Sequence, residues 1–259
     1  MTMYVWHTGH QINERVSAAL HAGIPQTILK HTEWADNYIN QTYKHVAIGY
    51  GILRGTADIF RHNHTTGVDF YEVDRGYLNP NHYDGYYRIS KNALQATYRE
   101  LDLPSDRLDK LKFERKQWFN PKGHILIIPP SEYIEEFYNH PPGWWESEVV
   151  KSLDGVSRPF KIRHKSESSP LEHDLQGAYC VITFNSNVAV DATIKGVPVV
   201  TGMYSVAGKW CGNSIGDIIE NKIEAPTQER VDKLLRFVSY NQFTLEEIRK
   251  GEAWKTICV

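Results

Sequence analysis

The sequence has little cysteine, no long apolar run and no excess of either charge. Its three cysteines, Cys180, Cys211 and Cys258, are odd in number and widely spaced, which is unlike a disulfide framework or a zinc site. No apolar run reaches the roughly 18–20 residues of a membrane span, and the first residues lack the basic-then-apolar plan of a signal peptide. These absences favour a cytoplasmic protein without a membrane span.

Several motifs for nucleotide and metal chemistry are also missing. The sequence contains neither Gly-x-Gly-x-x-Gly nor a Walker pattern, which argues against a dinucleotide fold and a P-loop. Its histidines show no metal-ligand spacing such as His-Glu-x-x-His, so we expect no metal site. The net charge of −2 lacks the basic excess of most nucleic-acid-binding proteins, although a near-neutral total leaves room for a local basic patch.

The most informative segment that is present is Ala178–Val200. Its pattern predicts a buried strand at Tyr179–Phe184, a polar turn at Asn185–Asn187, a short helix ending at Gly196 and a second strand at Val197–Val200. The polar turn therefore opens a helix at the carboxyl end of a strand. Ligands bind at that edge of open α/β sheets, and a helix N-terminus favours anions. We predict a phosphate or nucleotide site formed by Asn185, Ser186 and Asn187.

The rest of the chain alternates between strand-like and helix-like segments, which is the pattern of an α/β fold. Apolar or alternating runs predict strands at Met3–Trp6, Gln26–Leu29, His45–Tyr50, Val68–Val73, Ile125–Ile128 and Phe160–Arg163. Helical spacing predicts helices at Gln11–Ala22, Thr56–Arg61, Asn92–Leu101, Pro142–Leu153, Leu171–Gly177, Thr227–Val238 and Thr244–Lys250. The polar stretch Pro104–Gly123 predicts a linker. We therefore expect two Rossmann-like lobes facing a central cleft, residues 1–120 and residues 121–259, with the last helices packing back on the first lobe.

Basic side chains follow one of the strands predicted in the second lobe. Lys161, Arg163 and His164 lie at its carboxyl end, where cations can neutralise the phosphate of a departing nucleotide. Because consecutive strands of such a sheet are usually neighbours, we expect these residues close to the Asn185–Asn187 turn. A solvated basic strand end explains the same residues equally well, and the sequence leaves both interpretations open.

An acidic residue, Asp74, follows a predicted strand of the first lobe. A carboxylate in that position, beside the turn at Gly76, can act as the general base for an acceptor hydroxyl. It can also simply cap a turn, since Asp is common in turns for that reason. The catalytic interpretation therefore competes with a structural one.

The segment Asp74–Ile89 is too rich in Gly, Pro, Asn and Tyr for regular structure, and it predicts a long functional loop. Its aromatic rings can stack on a sugar or on a displaced base, or pack as part of the loop itself. The candidate acceptor-binding residues are Arg75, Tyr77, Asp84, Tyr86, Tyr87 and Arg88, with His82 and Tyr83 in the same aromatic cluster.

The second half resembles the donor-binding domain of bacterial capsular-polysaccharide β-Kdo transferases and related GT-B glycosyltransferases that use CMP-sugars. The stretches that carry this resemblance are Lys161–His164, Thr183–Ala189, Gly196–Val199 and Gly202–Trp210, together with Asp74–Tyr77 in the first half. It implies that His164 and the Ser186 turn hold the nucleotide phosphate, that Tyr204 belongs to the donor site and that Asp74 is the catalytic carboxylate. In a departure from the family pattern, Lys165 rather than proline follows His164. Gly51–Thr56 and Asn81–Ser90 look more like compact bacteriophage-encoded proteins.

These observations predict a glycosyltransferase that moves a sugar from a nucleotide-activated donor, CMP-linked by preference, to an acceptor hydroxyl. Two acceptors stay open: a 5-hydroxymethylpyrimidine in phage DNA, which must be flipped out of the stack, and a surface or capsular glycan. The Tyr-rich loop and the compact size favour DNA, whereas the near-neutral charge favours a glycan; DNA is the acceptor that we expect, with the glycan as the alternative. No cofactor beyond the donor is expected, and a phage-encoded chain would act in the host cytoplasm. A non-catalytic nucleotide-sugar-binding protein and a GT-B-type nucleotide-sugar epimerase are the alternatives.

Overall fold

The computed structural model describes residues 1–39, 44–81, 84–97, 102–111 and 113–257. The chain divides into two compact units, residues 1–111 with 237–259, and residues 112–236. Each unit is built on its own sheet with parallel strands and has helices packed on it. The predicted α/β class is therefore confirmed. No helix in these ranges is long and apolar enough to cross a membrane.

The sheet of the first unit is mixed. Its strands, in chain order, are β1 (Thr2–His7), β2 (Leu29–Trp34), β3 (Val46–Tyr50), β4 (Phe70–Arg75), β5 (Tyr86–Lys91) and, from the C-terminal part of the chain, β10 (Gln242–Thr244). Their order across the sheet is β10-β5-β4-β3-β1-β2. The strands β1 to β4 run parallel, whereas β5 and β10 pair antiparallel. The carboxyl ends of β1, β3 and β4 therefore meet at one edge of the sheet.

Helices cover both faces of this sheet. They are α1 (Gln11–Gly23), α2 (Thr56–Thr66), α10 (Leu245–Arg249) and α11 (Glu252–Ile257). One face of the sheet and the helices α1, α10 and α11 share an apolar core that includes Val5, Val16, Tyr87 and Ile248. On the other face, Phe60 of α2 stacks on Phe70 of β4 with ring centroids 5.1 Å apart. Burial of these apolar side chains is the main force that holds the first unit together.

The second unit has a wholly parallel sheet. Its strands are β6 (His124–Ile128), β7 (Phe160–Ile162), β8 (Ala178–Thr183) and β9 (Val199–Val200), in the order β7-β6-β8-β9. Its helices are α3 (Glu132–Phe137), α4 (Trp144–Ser152), α5 (Leu171–Leu175), α6 (Val188–Ile194), α7 (Gly208–Cys211), α8 (Ile215–Ile219) and the start of α9 (Gln228–Tyr240), within which the division between the units falls. Every residue of β8 is buried, as expected for a central strand covered on both faces.

Several predicted elements differ from the observed ones. The second strand begins at Leu29 instead of ending there, and residues 92–97 of the predicted helix Asn92–Leu101 are not helical, while 98–101 lie outside the described residues. The segment Asp74–Ile89 contains the start of a strand, because Tyr86–Lys91 pairs with β4 in an antiparallel ladder. That ladder satisfies backbone groups that a loop would leave to water.

The polar stretch Pro104–Gly123 is attached to the folded units on both sides and is not a free linker. The Arg107 guanidinium donates to the carbonyl oxygens of Ser239 and Gln242 and pairs with Glu247 at 2.8 Å, all within the first unit. In the second unit, backbone N–H groups of Lys116 and Trp118 bond to the end of α6 and to the residue after it. The boundary at 111/112 thus precedes the one expected near Asn120.

The backbone of α1 at Gly23 lies directly against the backbone of α10, so a substitution at Gly23 tests the packing of the first unit's core. A methyl group on its Cα would overlap the carbonyl oxygen of Ile248, at the point where α1 meets α10. We expect Gly23→Ala to lower the free energy of unfolding by about 1–3 kcal/mol, since the helices must separate to admit the methyl group. Urea denaturation measures the change. Gly216→Ala, where the nearest atom is 3.4 Å away, is the control, and equal stability of the two variants would contradict the packing described here.

Candidate active site

Asp74 lies at the carboxyl end of β4, and both of its carboxylate oxygens are oriented by neighbours. Oδ2 accepts a hydrogen bond from the Arg88 guanidinium at 2.9 Å, and Oδ1 accepts one from the backbone N–H of Arg75 at 2.8 Å. The side chain is nevertheless 37% exposed. A fixed, ionisable oxygen that still reaches solvent is what a general base requires.

Arg88 holds Asp74 from inside the protein. It lies opposite Asp74 in the antiparallel β4–β5 ladder, and its side chain is almost fully buried. Its other N–H groups donate to the carbonyl oxygens of Leu94 and Arg75. The guanidinium is therefore engaged within the unit, and the acceptor contact predicted for Arg88 is replaced by support of Asp74.

A second carboxyl, that of Glu72, lies beside the same guanidinium. Glu72 is buried, and its Oε2 is 3.9 Å from Arg88 Nη2 without a hydrogen-bond partner. Burial raises the pKa of Glu72 well above its usual range; Arg88 opposes this shift, and the nearby Asp74 charge adds to it. Arg88 offsets the effect of burial only in part, because it makes its short contact with Asp74 and not with Glu72.

The tyrosines of the predicted acceptor loop have different environments. Tyr87 is fully buried in the core, and Tyr77 is buried with its hydroxyl accepting a hydrogen bond from the N–H of Ala96. Tyr86 is half-buried. His82 and Tyr83 lie outside the described residues. The rings of Tyr77 and Tyr87 are thus occupied by packing and are not available to stack on a ligand.

One polar residue near Asp74, Tyr50, was not singled out in the sequence. Of the predicted acceptor-binding residues, Arg75 and Asp84 are exposed. Tyr50, at the end of the neighbouring strand β3, hydrogen-bonds with Arg75, and burial together with the Asp74 charge raises the pKa of Tyr50 to about 12. Tyr50 is therefore a phenol at any physiological pH. In the sequence, its position at the end of an apolar strand was the feature that could have indicated a place near the site.

In the second unit, Lys161 and Arg163 share a carboxylate partner. Lys161 Nζ is 2.8 Å from Asp174 Oδ1, and Arg163 pairs with Asp174 Oδ2 and with Ser169. Burial alone would raise the pKa of Asp174, but hydrogen bonds from Lys161 and Arg163 outweigh it and lower that pKa. Both cations are thus compensated within the protein, and the structural interpretation of this strand end accounts for them without a phosphate.

His164 differs from these two cations because its imidazole faces solvent. The side chain is exposed, and its Nε2 is 3.6 Å from a carboxylate oxygen of Glu146 on α4. The strand that carries it, β7, is separated from β8 by β6. The expectation that consecutive strands are neighbours is wrong here, because β6 lies between β7, which ends two residues before His164, and β8.

The polar turn Asn185–Asn187 does follow β8 and opens α6, as the sequence predicted. The Ser186 hydroxyl accepts a hydrogen bond from the N–H of Val188 at 3.3 Å, and Asn185 is buried. The turn stands at the carboxyl edge of the parallel sheet, where ligands bind in open α/β folds.

Three aromatic rings from three different segments meet at this edge, and we call them the aromatic shelf: Tyr138, Phe184 and Tyr204. The Tyr204 ring centroid is 4.3 Å from that of Tyr138 and 5.1 Å from that of Phe184. Phe184 directly follows β8, Tyr204 lies in the loop after β9, and Tyr138 follows α3. Of the three, the sequence analysis assigned only Tyr204 to a site.

A hydrolase-like motif in the sequence has a structural role. Gly212–Gly216 matches the Gly-x-Ser-x-Gly spacing of hydrolase nucleophiles, but the Ser214 hydroxyl caps α8 through reciprocal hydrogen bonds with Asp217. Its oxygen therefore serves a capping box.

Among the described residues, no group of three or more His, Cys, Asp or Glu side chains is arranged to hold a metal ion.

No protein-family model and no curated protein matches this sequence. Solved structures that are similar to it include two described as Thermosulfurimonas dismutans KpsC. One, a β-Kdo 2,4 transferase, is 10% identical with a TM-score of 0.48, covering 95% of this chain and 98% of that one. The other, a β-Kdo 2,7 transferase, is 12% identical with a TM-score of 0.49, covering 98% of this chain and 99% of that one. Likeness at this level does not tell what this chain binds.

The buried carboxyl of Glu72 predicts a pH dependence of stability. Because its pKa is raised in the folded protein, stability should fall as pH rises from the usual value of 4.5 towards the folded-state pKa. Glu72→Gln removes this ionisation, so the variant should gain stability relative to the wild type between pH 4 and pH 8. Thermal unfolding at both pH values measures the gap, with the exposed Glu132→Gln as control. A gap that stays constant or shrinks with rising pH would contradict the assignment.

The Asp174 cluster makes a second prediction. Asp174→Asn leaves the buried Arg163 guanidinium without its closest countercharge, which should cost about 3 kcal/mol of unfolding free energy at pH 7. The difference should shrink as the pH falls from 3.8, the usual pKa of an aspartate, towards the lowered pKa of the folded protein, because the unfolded wild-type chain takes up the proton first. Chemical denaturation tests both parts. Glu167→Gln, whose carboxylate lies 3.5–3.6 Å from the same cations and is more exposed, is the control and should cost less.

Proposed function

We propose that this protein is a glycosyltransferase that moves a sugar from a nucleotide-activated donor to an acceptor hydroxyl. The observation that carries the proposal is the Asp74 carboxylate, which Arg88 and the Arg75 backbone N–H orient at the carboxyl edge of a sheet while part of it stays in solvent. A fixed, accessible carboxylate suits a reaction in which a hydroxyl must lose its proton as it attacks.

In the proposed reaction, Asp74 accepts the proton of the acceptor hydroxyl. The electron pair left on the hydroxyl oxygen forms a bond to the anomeric carbon of the donor sugar, and the bond from that carbon to the phosphate oxygen breaks. The bonding pair leaves with the nucleotide phosphate. Arg88 keeps the carboxylate in one orientation, so that little reorganisation is needed when the proton moves.

The proposed donor is a CMP-linked sugar. This part rests on the resemblance of Lys161–His164, Thr183–Ala189 and Gly196–Val199 to CMP-sugar-using transferases. Within those stretches, we assign the leaving phosphate to the turn at Ser186, because Lys161 and Arg163 are already paired with Asp174. The imidazole of His164 is exposed at the end of a strand that does not adjoin β8, and we propose it as a separate anion contact.

For the acceptor we propose a carbohydrate hydroxyl in preference to a hydroxymethylated base in DNA. A flipped base needs free aromatic faces to stack on, and Tyr77 and Tyr87 are buried. Arg75, which follows Asp74, and Asp84 are exposed and can form hydrogen bonds to sugar hydroxyls. Two of the tyrosines whose presence favoured DNA are therefore unavailable for stacking on a flipped base.

Asp74→Asn separates an enzyme from a non-catalytic nucleotide-sugar-binding protein. The amide cannot take the proton, so we expect transfer to fall by about 10²- to 10⁴-fold with donor binding unchanged. Nucleotide release measured with CMP-, UDP- and GDP-sugars gives the rate, and calorimetry gives the donor affinity. Asp58→Asn, an exposed aspartate on α2, is the matched control and should behave as the wild type.

The same assay distinguishes acceptors and rivals. Release that depends on an oligosaccharide supports the carbohydrate acceptor, whereas release that depends on hydroxymethylated DNA overturns it. Conversion of the donor with no acceptor present would identify an epimerase. Donor binding without release from the wild type with any acceptor would show a binding protein and contradict the proposed function.

A further inference from the structure

The aromatic shelf is held in place by its backbone and not only by ring contacts. Tyr204 lies in the loop Gly202–Gly208, which is closed by hydrogen bonds from the N–H of Ser205 to the carbonyl oxygen of Gly202 and from the N–H of Gly208 to that of Ser205. A methyl group on Gly208 would overlap the Gly202 carbonyl oxygen, so the two ends of the loop touch. This tight closure fixes the position of the Tyr204 ring.

The shelf is also open to solvent. Tyr204 is 39% exposed, although it contacts two other aromatic rings, and its neighbour Met203 is 85% exposed. Tyr138 is half-buried beneath it, and Trp145 lies next to Phe184 with ring centroids 6.3 Å apart. An ordered loop that presents large apolar side chains to water indicates a binding surface.

The surroundings of the shelf favour a flat, polar-edged ligand over an apolar protein segment. Phe184 continues directly into Asn185, Ser186 and Asn187, and the Thr201 hydroxyl bonds to the Phe184 carbonyl oxygen at 3.0 Å. Amide and hydroxyl groups therefore border the rings. A nucleobase combines a π-face for stacking with edge groups for hydrogen bonds, and the carboxyl edge of parallel strands is where nucleotides bind in α/β folds.

We propose that the aromatic shelf binds the nucleobase of the donor nucleotide by stacking on Tyr204, an inference that rests on the proposed function. Tyr138 and Phe184 contact the Tyr204 ring, at 4.3 and 5.1 Å between centroids, and Tyr204 is still 39% exposed. Stacking tolerates every base because each has a π-face. The shelf therefore supplies affinity, and any choice among bases comes from the polar groups at its border.

The test compares nucleotide binding with and without the ring, using calorimetry or the fluorescence of the full chain. CMP should bind more tightly than ribose 5-phosphate, which has the same phosphate and sugar but no base. Tyr204→Ala should weaken CMP binding by about 5- to 150-fold and leave ribose 5-phosphate binding unchanged. Tyr204→Phe should bind as the wild type, since the ring remains. Tyr133→Ala, an exposed tyrosine outside the shelf, is the matched control.

Several outcomes would overturn the shelf assignment. These are equal affinity for CMP and ribose 5-phosphate, an unchanged CMP affinity in both Tyr204→Ala and Tyr138→Ala with wild-type melting temperatures, or binding of an oligosaccharide in place of nucleotides. Tyr204-dependent binding of UMP, GMP or AMP in place of CMP supports the shelf and contradicts only the donor assignment. Nucleotide binding that depends on Tyr204 without any sugar transfer supports the shelf while contradicting the proposed function.

Discussion

The interaction on which the proposed chemistry depends is the pair formed by Arg88 and Asp74. A guanidinium buried as deeply as that of Arg88 needs acceptors for its N–H groups in place of water. The carbonyl oxygens of Leu94 and Arg75 take two of these groups, and Asp74 takes another. Because the first two acceptors belong to the backbone, the position of the guanidinium is set by the fold. The pairing of β4 with β5 therefore determines the orientation of the Asp74 carboxylate.

The second unit contains the complementary arrangement, and the comparison explains why its cations are poor candidates for anion binding. There, a single carboxylate, Asp174, receives both Lys161 and Arg163. Breaking either pair to bind a phosphate would leave charge uncompensated next to a partly buried group, which is costly. In the first unit the cation lies inside and the carboxylate faces outward, so the accessible charged group is the one to which we assign the proposed chemistry.

The sequence indicated the outward-facing groups better than the inward-facing ones. Asp74 was recognisable because it follows an apolar strand, and the turn after β8 because it separates a buried strand from a helix. The role of Arg88 was not recognisable, since it depends on a strand, Tyr86–Lys91, that the Gly-, Asn- and Tyr-rich composition masked. Once that strand is known, alternation places Tyr87 in the core and Arg88 on the opposite face with Asp74.

Features that arise from tertiary packing were beyond sequence patterns altogether. The position of β6 between β7 and β8 is decided by how the strands assemble. The order of segments along the chain therefore wrongly predicted that the strand before His164 would adjoin β8. The aromatic shelf joins residues from three segments, and Tyr138 follows a helix of one and a half turns that lacks a periodic signal. Only the convergence of the three rings distinguishes them from ordinary apolar residues.

Glu72 illustrates how a cost to stability is retained beside a functional group. A buried carboxyl without a full set of partners is unfavourable, and an apolar residue of similar size would pack there more easily. While it is protonated, however, Glu72 does not compete for the Arg88 charge, and that charge acts undivided on Asp74. If Glu72 ionised, the guanidinium would be drawn between two carboxylates 2.9 and 3.9 Å away, and Asp74 would lose its fixed orientation. The raised pKa of Glu72 therefore favours the single short contact between Arg88 and Asp74 on which the proposed base role depends.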